Sequence, residues 1–502
     1  MKIEPDFATF EAPAREGRAQ ALWVTLPADL DTPVSLMLKL TQARADSFML
    51  ESVTGGEVRG RYSFIGFKPD LIWRCRGETA EINRSARWDA EAWEADVRPP
   101  LDSLRAVLAE SRIDLPPHLP PGCAGLFGYL GYDMVRQVER LGPPNPDPLG
   151  LPDAVMLRPT IVAAVDSIRD EVTLITPVWP QSGEPPRAAY ARAAERLSDA
   201  VLDLDRPPPS DRAEGAPIPA PASVSNTTPE RYREMVSTAR DYIRAGDIFQ
   251  VVPSQRWTVD FPLPPFALYR ALRRTNPSPY MFFFNFGGFQ VIGASPEILV
   301  RVRDGIVTIR PIAGTRPRGA TPEEDAALEA DLLADPKERA EHLMLLDLGR
   351  NDVGCVAEIG SVRPTSTYQV ERYSHVMHIV SNVEGRLRGD VDALGALLAG
   401  LPAGTVSGAP KVRAMEIIDE LEAEKRGVYA GGVGYISAAG QMDMCIALRT
   451  AVVKDGKMYV QAGGGVVWDS DPEAEFQETV NKAKALMRAA EEAGRFAARG
   501  NR

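Results

Sequence analysis

Two pairs of apolar segments in the second half of the chain are each joined by a single Asp-Gly dipeptide. Asp304-Gly305 follows GGFQVIGASPEILVRVR and precedes IVTIRPIAGT, and Asp455-Gly456 follows QMDMCIALRTAVVK and precedes KMYVQAGG. This dipeptide favours the positive φ angles of a two-residue hairpin, a turn that joins antiparallel strands. The sequence therefore predicts antiparallel hairpins alternating with helices, an α+β fold rather than a doubly wound parallel sheet.

A proline-rich segment divides the chain. Between Asp205 and Glu230, proline and small polar residues replace any helical or strand periodicity, as is typical of a linker. We therefore predict an N-terminal region at residues 1–204, a linker at 205–227 and a C-terminal domain at 228–502.

The C-terminal domain is predicted to begin with a helix. Thr228, Pro229 and Glu230 supply an N-cap residue, a first-turn proline and an early acid. The apolar residues that follow at helical spacing, and that should face inward, are Tyr232, Met235, Val236, Ala239 and Ile243.

The charge of the chain argues against nucleic-acid binding. Its 502 residues carry a formal net charge of -12, without the clustered Lys and Arg of a phosphate-binding surface. No window approaches the roughly 20 apolar residues needed to cross a bilayer, and the N-terminus does not resemble a signal peptide. We therefore expect a cytoplasmic protein without a membrane role. The cysteines stand singly and are expected to be reduced and buried: Cys75, Cys123, Cys355 and Cys445.

Two separate segments place paired acids at the start of a predicted helix. Glu338 and Glu341 follow an Asp-Pro in DPKERAEHLML, and Glu475 and Glu478 follow another in SDPEAEFQETVNKA. For either pair alone, a favourable interaction with the helix dipole is a sufficient explanation. If the fold brings the pairs together, four carboxylates require a cation between them. Oxygen ligands alone favour a hard ion such as Mg²⁺.

A histidine and an arginine add to this interpretation. In YSHVMHIVS, His375 and His378 would point to opposite faces of a strand, so at most one of them shares a site with the acids. A buried histidine is more often structural, although an imidazole is also a suitable general base near neutral pH. Arg449 lies in an apolar strand predicted from Met442 to Val453, where a guanidinium requires a carboxylate from the protein or a substrate.

The whole series of motifs resembles the large subunits of anthranilate synthases, a family of chorismate-utilising enzymes. In chain order the motifs are MLESVTGGEVRGRYSFIG, NPSPYMFF, GASPEILV, PIAGTRPRG, ERAEHLMLLDLGRNDVG, YSHVMHIVS, GTVSGAPKVRAMEIID, YAGGVGY, CIALRT and QAGGGVVWDSDPEAEFQET. The resemblance implies antiparallel sheets packed as a β-sandwich core with helices on the outside. It also implies conversion of chorismate and ammonia to anthranilate and pyruvate.

The resemblance also implies site residues. Glu341 and Glu478 would bind Mg²⁺, with Glu338 and Glu475 completing the acidic shell directly or through water. His378 would transfer the proton in the elimination of pyruvate, and Glu297 would assist departure of the hydroxyl group. The residues expected to line the chorismate pocket are Gly314, Thr315, Thr405, Tyr429, Arg449, Gly463, Gly464, Gly465 and Lys482.

At two positions this chain differs from relatives that catalyse other reactions on chorismate. Gln250 occupies the place of a lysine base in relatives that add water, and a glutamine cannot deprotonate water, whereas ammonia requires no such activation. Ala313 occupies the place of a nucleophilic lysine found in some aminodeoxychorismate synthases. Both positions favour anthranilate formation.

Partners and regulation are implied in the same way. The ammonia would come from a separate glutamine amidotransferase subunit, in a heterotetramer of two large and two small chains. L-tryptophan would bind as a feedback inhibitor at Glu51, Ser52, Pro279, Tyr280 and Met281. Two alternatives stay open: component I of an aminodeoxychorismate synthase, and a non-catalytic subunit that senses tryptophan.

Overall fold

The computed structural model describes residues 2–51, 60–181, 183–207, 222–373 and 376–497. The α-helices of these residues are α1 (Phe7–Arg15), α2 (Pro33–Thr41), α3 (Pro100–Glu110), α4 (Pro186–Leu204), α5 (Pro229–Ala245), α6 (Pro265–Thr275), α7 (Pro322–Ala334), α8 (Pro336–Val356), α9 (Ala393–Gly400), α10 (Lys411–Leu421) and α11 (Pro472–Ala493). Short 3-10 helices lie at Pro121–Cys123, Tyr132–Gln137 and Gly404–Val406.

The strands of the first half are β1 (Gln20–Pro27), β2 (Ser47–Glu51), β3 (Tyr62–Arg76), β4 (Thr79–Asn83), β5 (Trp93–Asp96), β6 (Gly125–Leu130), β7 (Ala154–Asp166) and β8 (Glu171–Val178). Those that follow are β9 (Ser223–Ser225), β10 (Gln250–Val251), β11 (Ser254–Asp260), β12 (Tyr280–Asn285), β13 (Gln290–Ser295), β14 (Ile298–Arg303), β15 (Ile306–Ile309), β16 (Ile312–Pro317), β17 (Arg363–Arg372), β18 (Val376–Arg386), β19 (Gly408–Ala409), β20 (Gly432–Ser437), β21 (Met442–Ile446), β22 (Thr450–Lys454) and β23 (Lys457–Gly463).

The two Asp-Gly hairpins form as predicted. β14 and β15 pair antiparallel across Asp304 (φ 52°) and Gly305 (φ 74°). β22 and β23 do the same across Asp455 (φ 51°) and Gly456 (φ 71°). Positive φ at both central residues matches the right-handed twist of the flanking strands.

The long strand β3 connects two arms of antiparallel strands. One arm runs from β3 through β7, β6, β20, β21, β14 and β15 to β18, which also pairs with β16 and β17. The other runs from β3 through β2, β12, β13, β22 and β23 to β11. Among the described strands, β3 is the one that pairs with members of both arms.

Aromatic side chains fill the space between the two arms. Phe48 of β2 stacks on Phe127 of β6 with ring centroids 4.4 Å apart, and Phe64 contacts Tyr435 at 5.9 Å. These residues belong to one buried apolar cluster, while two larger clusters join the outer faces to helices such as α8, α9, α6 and α11. The predicted α+β fold, with a β-sandwich core and helices outside, is confirmed.

The helix after the proline-rich segment is also confirmed. The Thr228 side chain accepts a hydrogen bond from the backbone N–H of Arg231, and Tyr232, Met235, Val236 and Ala239 are buried in α5. Strand pairs β2–β12 and β6–β20 connect the parts of the chain before and after that segment. Residues 208–221 lie outside the described residues, and the predicted domain bounds stay a prediction.

Two local predictions are wrong. The strand predicted from Met442 to Val453 is broken into β21 and β22, because Arg449 adopts a φ of 47° that no strand accommodates. Cys355 is exposed rather than buried, whereas Cys75, Cys123 and Cys445 are buried free thiols.

None of the helices in the described part of the chain has the length and apolar character required to cross a membrane.

Candidate active site

Both acidic helices begin where their Asp-Pro dipeptides predict. The Asp335 carboxylate accepts from the backbone N–H of Lys337 at 2.9 Å and caps α8. Asp471 caps α11 in the same way, accepting from the N–H of Ala474 at 2.9 Å. Capping fixes the direction in which the first turns present their acids.

The fold brings the two acidic helices together. Burial, followed by the charges of Glu338 and Glu478, raises the pKa of Glu341 to about 7. Burial also raises the pKa of Glu475, and one of its oxygens finds no hydrogen-bond donor among the described residues. Carboxyl groups this close oppose one another's ionisation unless a cation is supplied.

The donor set fits Mg²⁺. Among the described residues, no group of three or more acidic, histidine or cysteine side chains is arranged to enclose a metal by itself. Mg²⁺ does not require such a group, because it commonly binds one or two carboxylates and keeps several waters. The raised pKa of Glu341 and the unpaired buried oxygen of Glu475 are the features that a cation would relieve.

Two glycines abut these acids. Gly314 has a φ of 69°, and a Cβ at this position would stand 3.2 Å from Oε2 of Glu338. A Cβ on Gly464 would stand 3.0 Å from Oε2 of Glu475. The glycines thus leave backbone exposed where an anionic ligand could approach the acids and their cation.

His378 lies on β18 beside Gly314. Its Nδ1 is 2.8 Å from the carbonyl oxygen of Gly314, and since a carbonyl can only accept, Nδ1 carries the proton and Nε2 is left as a base. Burial lowers the pKa of His378, and the charges of Arg449 and Lys482 act in the same direction. The imidazole is therefore neutral near pH 7 and able to accept a proton.

Glu297, unlike His378, is a candidate proton donor. Burial raises the pKa of this carboxyl group to about 8, against smaller effects of Thr405, the N–H of Ile312 and Arg310. At neutral pH the group is protonated and able to donate a proton. Thr405, in the 3-10 helix Gly404–Val406, lines the same small cavity as Glu297.

The glycine run Gly463–Gly465, at the end of β23, lies beside Tyr429, Lys482 and Gln250. A Cβ on Gly463 would stand 3.0 Å from the hydroxyl of Tyr429, and Nζ of Lys482 donates to the Gly463 carbonyl at 2.9 Å. A Cβ on Gly465 would stand 2.7 Å from Nε2 of Gln250. Larger residues at these positions would occupy the space between the side chains.

Arg449 is a candidate anion ligand. No ion pair found among the described residues includes Arg449. Burial lowers the pKa of its guanidinium, against a smaller opposing effect of Tyr373. The break between β21 and β22 aims this side chain at the site that holds His378, whose pKa it affects. A substrate carboxylate would supply the missing partner.

A buried ion pair behind the pocket was missed by the sequence analysis. Arg426 is 3% exposed, pairs with Glu422 at 2.6 Å and donates to the carbonyls of Val252 and Val406, both at 2.6 Å. Its guanidinium also lies 5.5 Å from the ring centroid of Tyr429. The pair has the i, i+4 spacing of an ordinary surface pair, so no local signal reveals its burial.

The residues predicted to bind tryptophan lie on or next to two adjacent strands, β2 and β12. Glu51 ends β2 opposite Met281 of β12, and its carboxylate accepts from the Tyr269 hydroxyl at 2.7 Å and from Arg273 at 2.6 Å. Pro279 immediately precedes β12. Ser52 lies outside the described residues.

Tyr280 connects this region to two others. It stands opposite Ser295 in the β12–β13 hairpin, and the Ser295 hydroxyl is 3.3 Å from the backbone N of Glu297. Asp443, which the sequence analysis did not single out, is half-buried. Desolvation raises its pKa, and it accepts a hydrogen bond from Tyr280.

The sequence matches the family model described as chorismate binding enzyme over residues 54–488. It is 69% identical over 493 residues to anthranilate synthase component 1 of Cereibacter sphaeroides, covering 98% of this chain and 99% of that protein. Identity with the Pseudomonas putida protein of the same name is 51% over 472 residues, covering 92% and 93%. The crystal structure of anthranilate synthase component I from Streptococcus pneumoniae TIGR4 aligns with a TM-score of 0.75 and 40% identity, covering 87% of this chain and 94% of that chain.

Proposed function

The chain belongs to the family of chorismate binding enzymes, and from that premise we propose that it is the large subunit of an anthranilate synthase. It converts chorismate and ammonia to anthranilate and pyruvate. The observation that carries this function is the 69% identity with a component 1 protein over nearly the full length of both chains.

The residues of the site divide the reaction into two proton transfers. In the first step ammonia bonds to C2 of chorismate, the protonated Glu297 gives its proton to the C4 hydroxyl, and water leaves. The ammonium group formed at C2 then loses one proton, which equals the proton that Glu297 gave up. In the second step Nε2 of His378 takes the ring proton from the amino-bearing carbon, and the bond between the ring and the enolpyruvyl oxygen breaks. The departing enolate takes up a proton to become pyruvate, and the ring becomes aromatic.

Substrate charge is met by cationic and backbone groups. Arg449 and Lys482 would bind the carboxylates of chorismate, and the glycine turns allow backbone N–H groups to approach them. Mg²⁺, when bound by Glu341 and Glu478 with Glu338 and Glu475 around them, would supply positive charge at the ring carboxylate and help to orient the substrate.

Gln250 and Ala313 support ammonia as the nucleophile and anthranilate as the product. The Gln250 amide is buried against Gly465, and its Oε1 has no hydrogen-bond partner among the described residues. An amide cannot remove a proton from water but can accept a hydrogen bond from an approaching amine. Ala313 on β16 has no nucleophilic group at the position where a lysine would attack the substrate.

The component 1 relatives suggest the remaining parts of the proposal. A component 1 requires a partner, which we take to be a glutamine amidotransferase that delivers ammonia. We further propose a heterotetramer of two large and two small subunits in the cytoplasm.

The activity is tested by incubating the purified chain with chorismate, MgCl₂ and an ammonium salt at alkaline pH, where ammonia is unprotonated. We expect anthranilate fluorescence to rise, and EDTA to abolish it until excess Mg²⁺ is restored. A 4-amino product that keeps its enolpyruvyl group would instead identify an aminodeoxychorismate synthase. No consumption of chorismate would leave only the tryptophan-sensing alternative.

Tryptophan should inhibit this activity through the region around Tyr280. We expect Tyr280→Ala to raise the tryptophan concentration for half-inhibition by about two- to tenfold, because an aromatic contact is worth about 0.5–1.5 kcal/mol beyond its buried area. Most of the uninhibited anthranilate synthesis should remain. Tyr459→Ala on β23, another half-buried tyrosine, is the matched control and should be inhibited like the wild type. Equal inhibition of both variants would place the tryptophan site elsewhere.

A further inference from the structure

Glu371 lies directly across from the proposed base. The register of β17 and β18 pairs Gln369 with Val380 and Glu371 with His378, and directly opposed residues of antiparallel strands have Cβ atoms about 4.5–5.5 Å apart on the same face. The two side chains therefore share one face of the sheet.

A bulge in β17 establishes this pairing. The register shifts between Ser366 and Gln369, and Tyr368 within the bulge has a φ of 52°. The Ser381 hydroxyl of β18 accepts from the N–H of Tyr368 at 3.1 Å and is 2.6 Å from Nε2 of the buried His342. A shift by one residue would put Val370 or Arg372 opposite His378 instead. The bulge thus selects an acid for that place.

The carboxylate of Glu371 is held from two sides. Arg310 donates to Oε1 at 2.5 Å, and the Tyr373 hydroxyl donates to Oε2 at 3.1 Å. The Tyr373 ring also contacts the His378 ring edge to face, with centroids 5.4 Å apart. These contacts hold the carboxylate in place beside His378.

Two cationic side chains, Lys482 and Arg449, also act on His378. Lys482 approaches from α11 and Arg449 from the strand break, and both disfavour the protonated imidazole, as burial does. On β16, the Gly314 carbonyl accepts a hydrogen bond from Nδ1, and the Thr315 hydroxyl is 3.2 Å from Nδ1. A Cβ on Gly314 would stand 3.2 Å from Oε2 of Glu338. Glu371 is the acid whose charge acts in the opposite direction.

We propose that Glu371 is a positioning residue for the elimination step, whose carboxylate, held by Arg310 and Tyr373, keeps His378 able to accept a proton despite the neighbouring cations. Glu371 acts through His378 and does not itself contact substrate. The inference rests on the proposed function, because it assigns Glu371 a role in the reaction for which His378 is the base.

The test is the pKa of His378 in the full-length chain, measured by NMR with ¹³C-labelled histidine. The chain has four histidines, and His378→Gln identifies the signal. We expect Glu371→Gln to lower the pKa of His378 by about one unit, since removing a nearby negative charge destabilises imidazolium. Glu371→Asp should keep the wild-type value because it keeps the charge.

The same variants are then assayed for anthranilate. In Glu371→Gln the acidic limb of the kcat/KM profile should move to lower pH by the same amount, while the plateau falls because the base is weaker. Glu384→Gln on β18, which removes a carboxylate bonded to Asn382, is the control and should leave both measurements unchanged. An unaltered pKa of His378 in Glu371→Gln, or an equal shift in Glu371→Asp, would overturn the proposal.

The NMR measurement requires no turnover, so its outcome is independent of the proposed function. If His378→Gln keeps full activity while Glu371→Gln still lowers the pKa, the assignment of His378 as base fails and the electrostatic link survives. If His378→Gln is inactive and the pKa does not move, the link fails and the base is retained.

Discussion

Replacing Glu341 by Gln is expected to reduce anthranilate synthesis by at least about 100-fold, and Glu478→Gln to do the same. Loss of a neighbour that merely supports metal ligands already costs about 10–100-fold in affinity or activity, and these two acids are the proposed ligands. A role in the helix dipole would instead be worth only about 0.3–1 kcal/mol of stability, with turnover unchanged. The size of the effect therefore decides between the two explanations of the paired acids.

The measurement combines anthranilate fluorescence with Mg²⁺ titration by calorimetry, so that binding is followed apart from turnover. Glu473→Gln is the matched control, because Glu473 also lies in the first turn of α11 but is exposed and paired with Arg233. We expect its activity and Mg²⁺ binding to match the wild type. Normal Mg²⁺ binding by Glu341→Gln and Glu478→Gln would remove the acids from the metal site.

Replacing His378 by Gln is expected to slow anthranilate formation by about 10² to 10⁴-fold, the usual contribution of a general base. The Gln amide N–H can still donate to the Gly314 carbonyl, so the pocket should keep its shape while losing its base. Because the proposed mechanism does not use His378 in the first step, chorismate should still be consumed and the aminated intermediate should accumulate.

Product analysis by liquid chromatography follows chorismate, the intermediate and anthranilate together. His118→Gln changes an exposed histidine that contacts Trp23 in the N-terminal half, and should leave all three time courses unchanged. If His378→Gln forms anthranilate at the wild-type rate, the proton is taken by another group. If it ceases to consume chorismate, His378 acts before the elimination.

Local chemistry explains why much of the fold was predictable. Asp-Gly turns, Asp-Pro caps and the Thr228 cap depend on residues a few positions apart, and all of them form as the sequence indicates. The meeting of α8 and α11 was predicted only through the motif resemblance, because no local pattern relates two helices more than a hundred residues apart. Arg449 is a case in which the local pattern misled: the apolar sequence around it predicts a continuous strand, but the residue adopts a positive φ.

The charged residues behind the site escaped sequence analysis for a different reason. Glu422 and Arg426 have the spacing of a solvent-exposed pair, and Glu371 stands among polar residues of a largely exposed strand. What distinguishes them is burial against Tyr429 and a bulge that sets the register opposite His378. Both depend on distant parts of the chain.

The pairing of Tyr280 with Ser295 bears on how an inhibitor could reach the reaction. Tyr280, which is predicted to bind tryptophan, pairs directly with Ser295 in the hairpin. The Ser295 hydroxyl in turn contacts the backbone N–H of Glu297. A ligand that displaced Tyr280 would therefore act on the strand that ends beside Glu297, the proposed proton donor. Inhibition of this kind would lower the catalytic rate even at saturating chorismate, without the two ligands ever competing for the same space.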